Sequence, residues 1–432
     1  MALALGVHII FASLGISIPL IIIAAEIIGT KINDPHYIVF AKRLAVVFII
    51  LFAVGTASGT IVALTLALVW PKFMALAGQV AISTMYIEVF VFFIESIFLG
   101  IYAVSWNKFK GKYTHAIVGI PIVIGAAASA ALITSLNAFM NTPVGFNIQN
   151  YLKIGSVTGV SPLAVFSSPT TFIEVSHVIT TAYFTGTFIV IGFLTYKLMH
   201  EKDKLLKMYY KKMVRFVFFI AVIATILAVY TGINSIANLY HTQPEKYAAI
   251  EANFYPTTYA PEHLGGILVN GKFIDYINIP YLQSILATGT PNGSVPGLSD
   301  YSKSTWPPLI VHVMFDFLVG TGFAIGLFIL FILLLEFLKK KPFENKIVLT
   351  LTVFVSIISI FMLEDGWVMA ELARQPWIIY NVLLVSSAAN YSTNIIPAGI
   401  AIIVFYIIII PFTALVIKKI FEKRDLVKEL LL

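Results

Sequence analysis

Runs of apolar residues about as long as a bilayer is thick dominate the chain. Nine can be traced, at about 3–28, 44–70, 79–105, 115–139, 172–196, 214–236, 307–336, 347–370 and 380–417. A hydrocarbon core takes about 20 consecutive apolar residues per helix, so each run predicts one membrane-spanning helix. The last run is long, and its first third, Asn381 to Asn394, is expected partly outside the membrane. The first lacks a basic leading segment and is too long for a cleavable signal peptide. In the second, Gly55-x-x-x-Gly59 is a small-residue motif of the kind that lets helices pack closely. Two connections are too long for simple turns: 140–171, rich in Ser, Pro and Asn, and 237–306, the largest polar segment. Long ordered loops usually carry function.

Composition sharpens this picture. The chain of 432 residues is 59% hydrophobic and 11% charged, whereas soluble domains are about 25% charged. A water-soluble globule is excluded in favour of a multi-pass protein of the cell membrane. No cysteine is present, which removes disulfides, iron–sulfur clusters and thiolate or covalent haem attachment. The net charge of +7 reflects topology and not nucleic-acid binding. All but six of the 28 basic residues fall at span ends that share one side; the exceptions are Lys72, Lys153, Lys246, Lys272, Lys303 and Arg374. By the positive-inside rule the N-terminus is outside and the C-terminus inside, which nine spans satisfy. The expected fold is therefore all-α, with about nine transmembrane helices.

An ionisable group at the bilayer centre costs about 2.5–3.5 kcal/mol even on the lenient scale, so each one is a functional candidate. His8, His177 and His312 fall in the first two turns of spans entering from outside, Glu364 in the last two turns of a span leaving to the outside, and Glu88 about nine residues in from the outer end of the third. Together they make one layer of imidazoles and carboxylates near the outer face, suited to ligating haem iron. Interhelical hydrogen bonding is the plainer alternative for any one of them. His36, His115, His200, His241 and His263 lie in loops or at span ends, where solvated or interfacial roles are expected. Glu88 and Glu95 are seven apart, which puts them on one helix face about 10 Å apart along the axis. Such a carboxylate ladder is what an inward proton relay needs; a water-filled crevice without transport is the alternative.

Several motifs, in order, resemble subunit I of cytochrome bd-type quinol oxidases over essentially the whole chain. They are His8-Ile-Ile-Phe-Ala-Ser-Leu-Gly-Ile-Ser-Ile-Pro-Leu20, Phe52-Ala-Val-Gly-Thr-Ala-Ser-Gly-Thr60 with Trp70-Pro71, Glu88 with Phe92-Phe93-Ile94-Glu95-Ser96, Met140-Asn141-Thr142-Pro143, Glu364-Asp365-Gly366-Trp367 and Ala373-Arg374-Gln375-Pro376-Trp377. The resemblance implies that His8 and Glu364 serve the irons of an active-site pair, a high-spin haem b and a haem d or third haem b, with Glu88 beside them. Which iron each residue serves stays open. It implies that Glu95 belongs to the proton path and that His177 is an axial ligand of a low-spin haem b. Arg374, with Gln375 and Trp377, would support haem propionates.

The large loop adds Gln243-Pro244-Glu245-Lys246-Tyr247-Ala248-Ala249-Ile250-Glu251, whose lysine and glutamate contribute to quinol oxidation in the family. Without the resemblance, a Lys–Glu pair in a loop reads as solvated. The seventh span departs from the pattern. Leu318 stands where the family has the methionine that completes the low-spin haem, and Asp316 stands where an arginine is common; Ile360 replaces a frequent tryptophan. Leucine cannot ligate iron, so either Met314 or His312 substitutes, or the low-spin haem is five-coordinate or absent.

The expected function is the core subunit of a bd-type terminal oxidase. It would oxidise quinol at the outer face, reduce O2 to water and draw protons from the cytoplasm past Glu95 and Glu88. The partners are a second membrane subunit (subunit II) and a small accessory subunit, with no nucleic acid. The competing readings are a diverged haem-binding paralogue and a proton-coupled secondary transporter.

Overall fold

A computed structural model describes residues 1–269 and 272–431. Among the described residues nine helices are long and apolar enough to cross a membrane. They are α1 (Ala2–Ile32), α2 (Pro35–Val69), α3 (Ile82–Val104), α4 (Thr114–Asn141), α5 (Thr171–His200), α6 (Lys204–Thr242), α7 (Ile310–Phe337), α8 (Lys346–Leu372) and α9 (Ile396–Glu422). Consecutive helices run in opposite directions. One end of the bundle thus collects the N-termini of α1, α3, α5, α7 and α9 and the long connection between α6 and α7. The other end collects the short, lysine-rich turns.

Helix ends depart from the apolar runs where charged residues continue a helix without continuing its hydrophobicity. α2 begins at Pro35, earlier than the run at 44–70, because Asp34 caps it by accepting from His36 N at 3.0 Å. Arg43, inside the helix, bonds Glu429 Oε2 and Arg424 O, each at 2.7 Å. α6 begins at Lys204 under an Asp203 cap and runs to Thr242, beyond the expected 214–236. The stretch before α9 forms a short strand pair, Trp377–Ile379 with Leu383–Leu384, and one helical turn; the membrane-length helix starts only at Ile396. Asn381 to Asn394 is thus outside the long helix.

The packed centre lies among α1, α2, α5, α6 and α8, where Ile18, Ile21, Phe48, Phe188, Ile191, Met213 and Phe218 are buried. Gly55 and Gly59 both face α1: a Cβ on Gly55 would meet Phe11 at 3.6 Å and one on Gly59 would meet His8 at 3.0 Å. The close α1–α2 approach is therefore what the small-residue motif provides. By contrast α3, α7 and α9 leave most of their apolar surface open, with Phe90, Phe323 and Ile407 exposed.

The long connection has secondary structure of its own among the described residues. It contains a helix at Pro244–Ile250, the strands β1 (Glu262–Val269) and β2 (Lys272–Ile279), antiparallel with Glu262 opposite Ile279, and a helix at Leu282–Thr288.

Candidate functional site

The loop end of the bundle holds the predicted ionisable layer. On α1, His8 Nδ1 lies 2.9 Å from Ser58 Oγ, and the Ser58 hydroxyl donates to Gly55 O at 2.8 Å. With its one proton so committed, Ser58 accepts from His8 Nδ1–H, and the lone pair sits on Nε2. The same device recurs on α5. His177 Nδ1 is 3.1 Å from Thr231 Oγ1, whose proton goes to Leu227 O at 3.0 Å. Neither Nε2 has a hydrogen-bond partner among the described residues. A hydrogen-bonded Nδ1 with an open Nε2 is how a metal-bound histidine is usually oriented.

Glu364 on α8 reaches the same region. Trp367 Nε1 donates to its Oε2 at 3.0 Å, while Oε1 is buried without a partner, as is Asp365 Oδ2. Gly6 on α1 makes room for this carboxylate, since a Cβ there would lie 2.8 Å from Glu364 Oε2. Glu364 and Asp365 line a cavity of about 460 Å³ with Met314, Phe317, Ile358, Phe361 and Val368. Leu318 faces Gly366. His312 is not free to replace it: its Nδ1 lies 2.7 Å from Ile250 O and its Nε2 3.3 Å from Asp316 Oδ2. Two imidazoles with an open nitrogen and a carboxylate with an open oxygen fit the ligand needs of haem iron.

Glu88 and Glu95 share the face of α3 that meets α4, as their spacing predicts. Ser129 Oγ donates to Glu88 Oε1 at 2.9 Å, and Glu95, buried, packs against Gly125. Seven residues further on, Tyr102 donates to Glu26 Oε2 at 2.6 Å, and His115 Nδ1 lies 2.8 Å from Glu26 Oε1. His115 and His36, expected at solvated ends, are instead buried: His115 is tied to Glu26 and His36 packs on Tyr209. His200 and His241 are exposed as expected.

Lys246 and Glu251 are both buried, so the solvated reading of this pair fails. They also point to different pockets. Lys246 Nζ donates to Ala370 O at 3.0 Å and faces Glu174, Glu371 and Arg374. Burial, then the Arg374 charge, brings the Lys246 ammonium down to about 8. Arg374 binds Asn141 Oδ1 at 3.1 Å and pairs with Glu371; Asn141 in turn donates to Glu174 Oε1 at 2.7 Å. Arg374 Nε and Trp377 Nε1 are buried donors without an acceptor among the described residues, which suits a carboxylate such as a propionate. Gln375 is held through its backbone, N to Leu372 O at 3.0 Å. Glu251 faces Glu262 of β1 and Asp316 of α7.

Sequence reasoning missed Glu26, Glu174, Asp365 and Glu262. The first three lie within apolar runs, so the ionisable-residue criterion applied above would have found them. Glu262 carries no local signal.

The fold and this layer define a polytopic membrane protein whose open histidine nitrogens and carboxylate oxygens lie towards one end of its helices. Its sequence matches the family model for cytochrome bd terminal oxidase subunit I over residues 1–425. A Bacillus subtilis (strain 168) protein provisionally named cytochrome bd menaquinol oxidase subunit I is 36% identical over 397 residues, covering 90% of this chain and 88% of that one. The cytochrome bd ubiquinol oxidase subunit 1 of the same organism is 26% identical, covering 90% and 84%. The solved bd oxidase of Geobacillus thermodenitrificans superposes with a TM-score of 0.90 at 34% identity, covering 98% of this chain and 97% of that one. The chain belongs to the cytochrome bd terminal oxidase subunit I family. It is accordingly a multi-pass subunit of a haem-containing quinol oxidase of the cell membrane.

Proposed function

We propose that the chain oxidises quinol at the outer membrane face and, in the same layer, reduces O2 to water at a di-haem site. On this reading residues 1–432 form one membrane-embedded haem-binding domain, with the N-terminus outside, the C-terminus inside and 237–306 as its quinol-binding loop. His177 and Met314 hold a low-spin haem b. His8 and Glu364 serve a high-spin haem b and a haem d, or a third haem b in its place, and Arg374, Gln375 and Trp377 receive propionates. Bound haem supplies the one-electron carrier and the iron at which O2 is reduced. The partners are a second membrane subunit, subunit II, and a small accessory subunit.

The observation that supports the ligand set is the pair of histidines with Nδ1 held by a hydroxyl and Nε2 left open. The chain's own residues do the rest of the work. Ser58 and Thr231 fix the imidazole tautomers, and Trp367 holds the Glu364 carboxylate in place. A quinol must shed two protons as it gives up two electrons, so Glu251 takes a proton and the Lys246 ammonium steadies the developing anion. Because the two side chains enter different pockets, they act on different parts of a bound quinol. Glu95 and then Glu88 pass protons from the inside towards the di-haem site. Outward release at the loop and inward uptake along α3 together make turnover electrogenic without a pump stroke. Glu251→Ala tests the loop assignment. It is expected to lower quinol oxidase activity about a hundredfold with haem content unchanged, and parallel loss of both would overturn the assignment.

A further inference from the structure

The loop buries more polar chemistry than Lys246 and Glu251 account for. Glu251 closes the helix Pro244–Ile250, and Glu262 opens β1. Their carboxyl groups, in residues 3% and 6% exposed, are hydrogen-bonded to each other. Two buried carboxyl groups in contact cannot both be ionised, so the pair holds a proton between them. Burial, and then the facing Glu262, push the Glu251 carboxyl well above the usual carboxylate range. Glu251 is therefore the stronger holder of the shared proton, and burial raises Glu262 as well, to about 7.

The groups around the pair come from every neighbouring element. Tyr247 belongs to the same helix and Tyr240 to α6, with His263 on β1 and His312 and Asp316 on α7. Gln283 arrives from the helix Leu282–Thr288. Tyr247 and Gln283 are hydrogen-bonded to each other, whereas Glu262 Oε2 is buried without a hydrogen-bond partner among the described residues. Tyr247 is 0% and Gln283 1% exposed. Buried polar atoms are almost always satisfied, so the open Glu262 oxygen marks a place built to meet water or a polar ligand.

A carboxylic acid that already holds a proton cannot accept another at the same oxygen unless it passes its own on. We propose that Glu262 is the group through which Glu251 accepts from quinol: as a quinol hydroxyl gives its proton to Glu251, Glu251 hands the proton it already holds to Glu262. The inference rests on the reading of Glu251 as the quinol's proton acceptor. Over one full oxidation both quinol O–H bonds break and quinol becomes quinone. The two electrons enter the oxidase, and each proton in turn joins the pair, passes to Glu262 and leaves from it to the water outside the membrane before the next arrives. Glu262 acts through Glu251 and is a positioning residue, not one that touches quinol.

The test is Glu262→Gln and Glu262→Asp in the intact oxidase, with Glu251→Gln beside them. For Glu262→Gln the expected result is a kcat for quinol oxidation about tenfold or more below wild type, with the acid limb of its pH profile displaced. KM for quinol, the haem spectrum and O2 uptake driven by an artificial one-electron donor are expected to stay unchanged. Glu262→Asp is expected to restore kcat, since it keeps the carboxylate. A Glu262→Gln enzyme with wild-type kcat and pH profile would overturn the relay, as would a loss that Glu262→Asp does not repair. If Glu251→Gln turns over at the wild-type rate, the underlying reading of Glu251 fails instead. Impairment in Glu251→Gln but not in Glu262→Gln overturns the relay alone.

Discussion

Replacing Gly6 by alanine is the smallest change that tests where Glu364 sits. The added Cβ would lie 2.8 Å from Glu364 Oε2. Carbon and oxygen rarely approach closer than about 3.3 Å, so the carboxylate must retreat by roughly half an ångström. That retreat acts on the 3.0 Å bond from Trp367 Nε1. A hydrogen bond to a charged group is worth about 1.5–3 kcal/mol, which corresponds to roughly a tenfold to hundredfold change in an equilibrium that depends on it. Alanine is also the better helix former by about 1 kcal/mol, so α1 itself should not weaken. Gly6→Ala is therefore expected to lower O2 reduction about tenfold or more and to perturb the carbon monoxide difference spectrum of the proposed di-haem site. Thermal stability of the complex is expected to stay within a few degrees of wild type. Wild-type turnover together with an unaltered carbon monoxide spectrum would refute the placement of Glu364 against Gly6 at the reactive site.

Two further outcomes are expected. If Met314 supplies the thioether absent at Leu318, Met314→Leu should convert the low-spin b signal to a high-spin one; an unchanged low-spin spectrum would exclude Met314 as a ligand. Lys246 is charged below its value of about 8 and neutral above it, so if its ammonium steadies the quinol anion, kcat/KM for quinol should fall as pH rises through about 8. Lys246→Arg, whose guanidinium stays charged, should move that limb to higher pH, and an identical profile in the variant would show that Lys246 does not set it.

The number of spans was legible in the sequence because runs of apolar residues report membrane solvation directly. The shared face of Glu88 and Glu95 was legible too, because one helix fixes it. The start of α2 at Pro35 was not: Asp34 and Arg43 extend a helix that their charge hides from hydropathy. Partnerships between elements were also out of reach. Nothing in the local sequence around His115 tells that it meets Glu26 across two helices. The four residues between Lys246 and Glu251 do not reveal that one enters the pocket of Arg374 and the other that of Glu262. His312 could stand as a candidate iron ligand until its ring nitrogens were found against Ile250 O and Asp316.

The central claim is that His8, His177 and Glu364 hold haem at the loop end of the bundle. A reduced-minus-oxidised absorption spectrum of the purified complex, followed by addition of carbon monoxide, tests it most directly. The predicted result is a sharp low-spin b signal that carbon monoxide leaves alone, beside a high-spin signal that carbon monoxide shifts, far-red if the chlorin is present. A spectrum with no haem signal would contradict the account and return the buried carboxylates to proton-coupled transport.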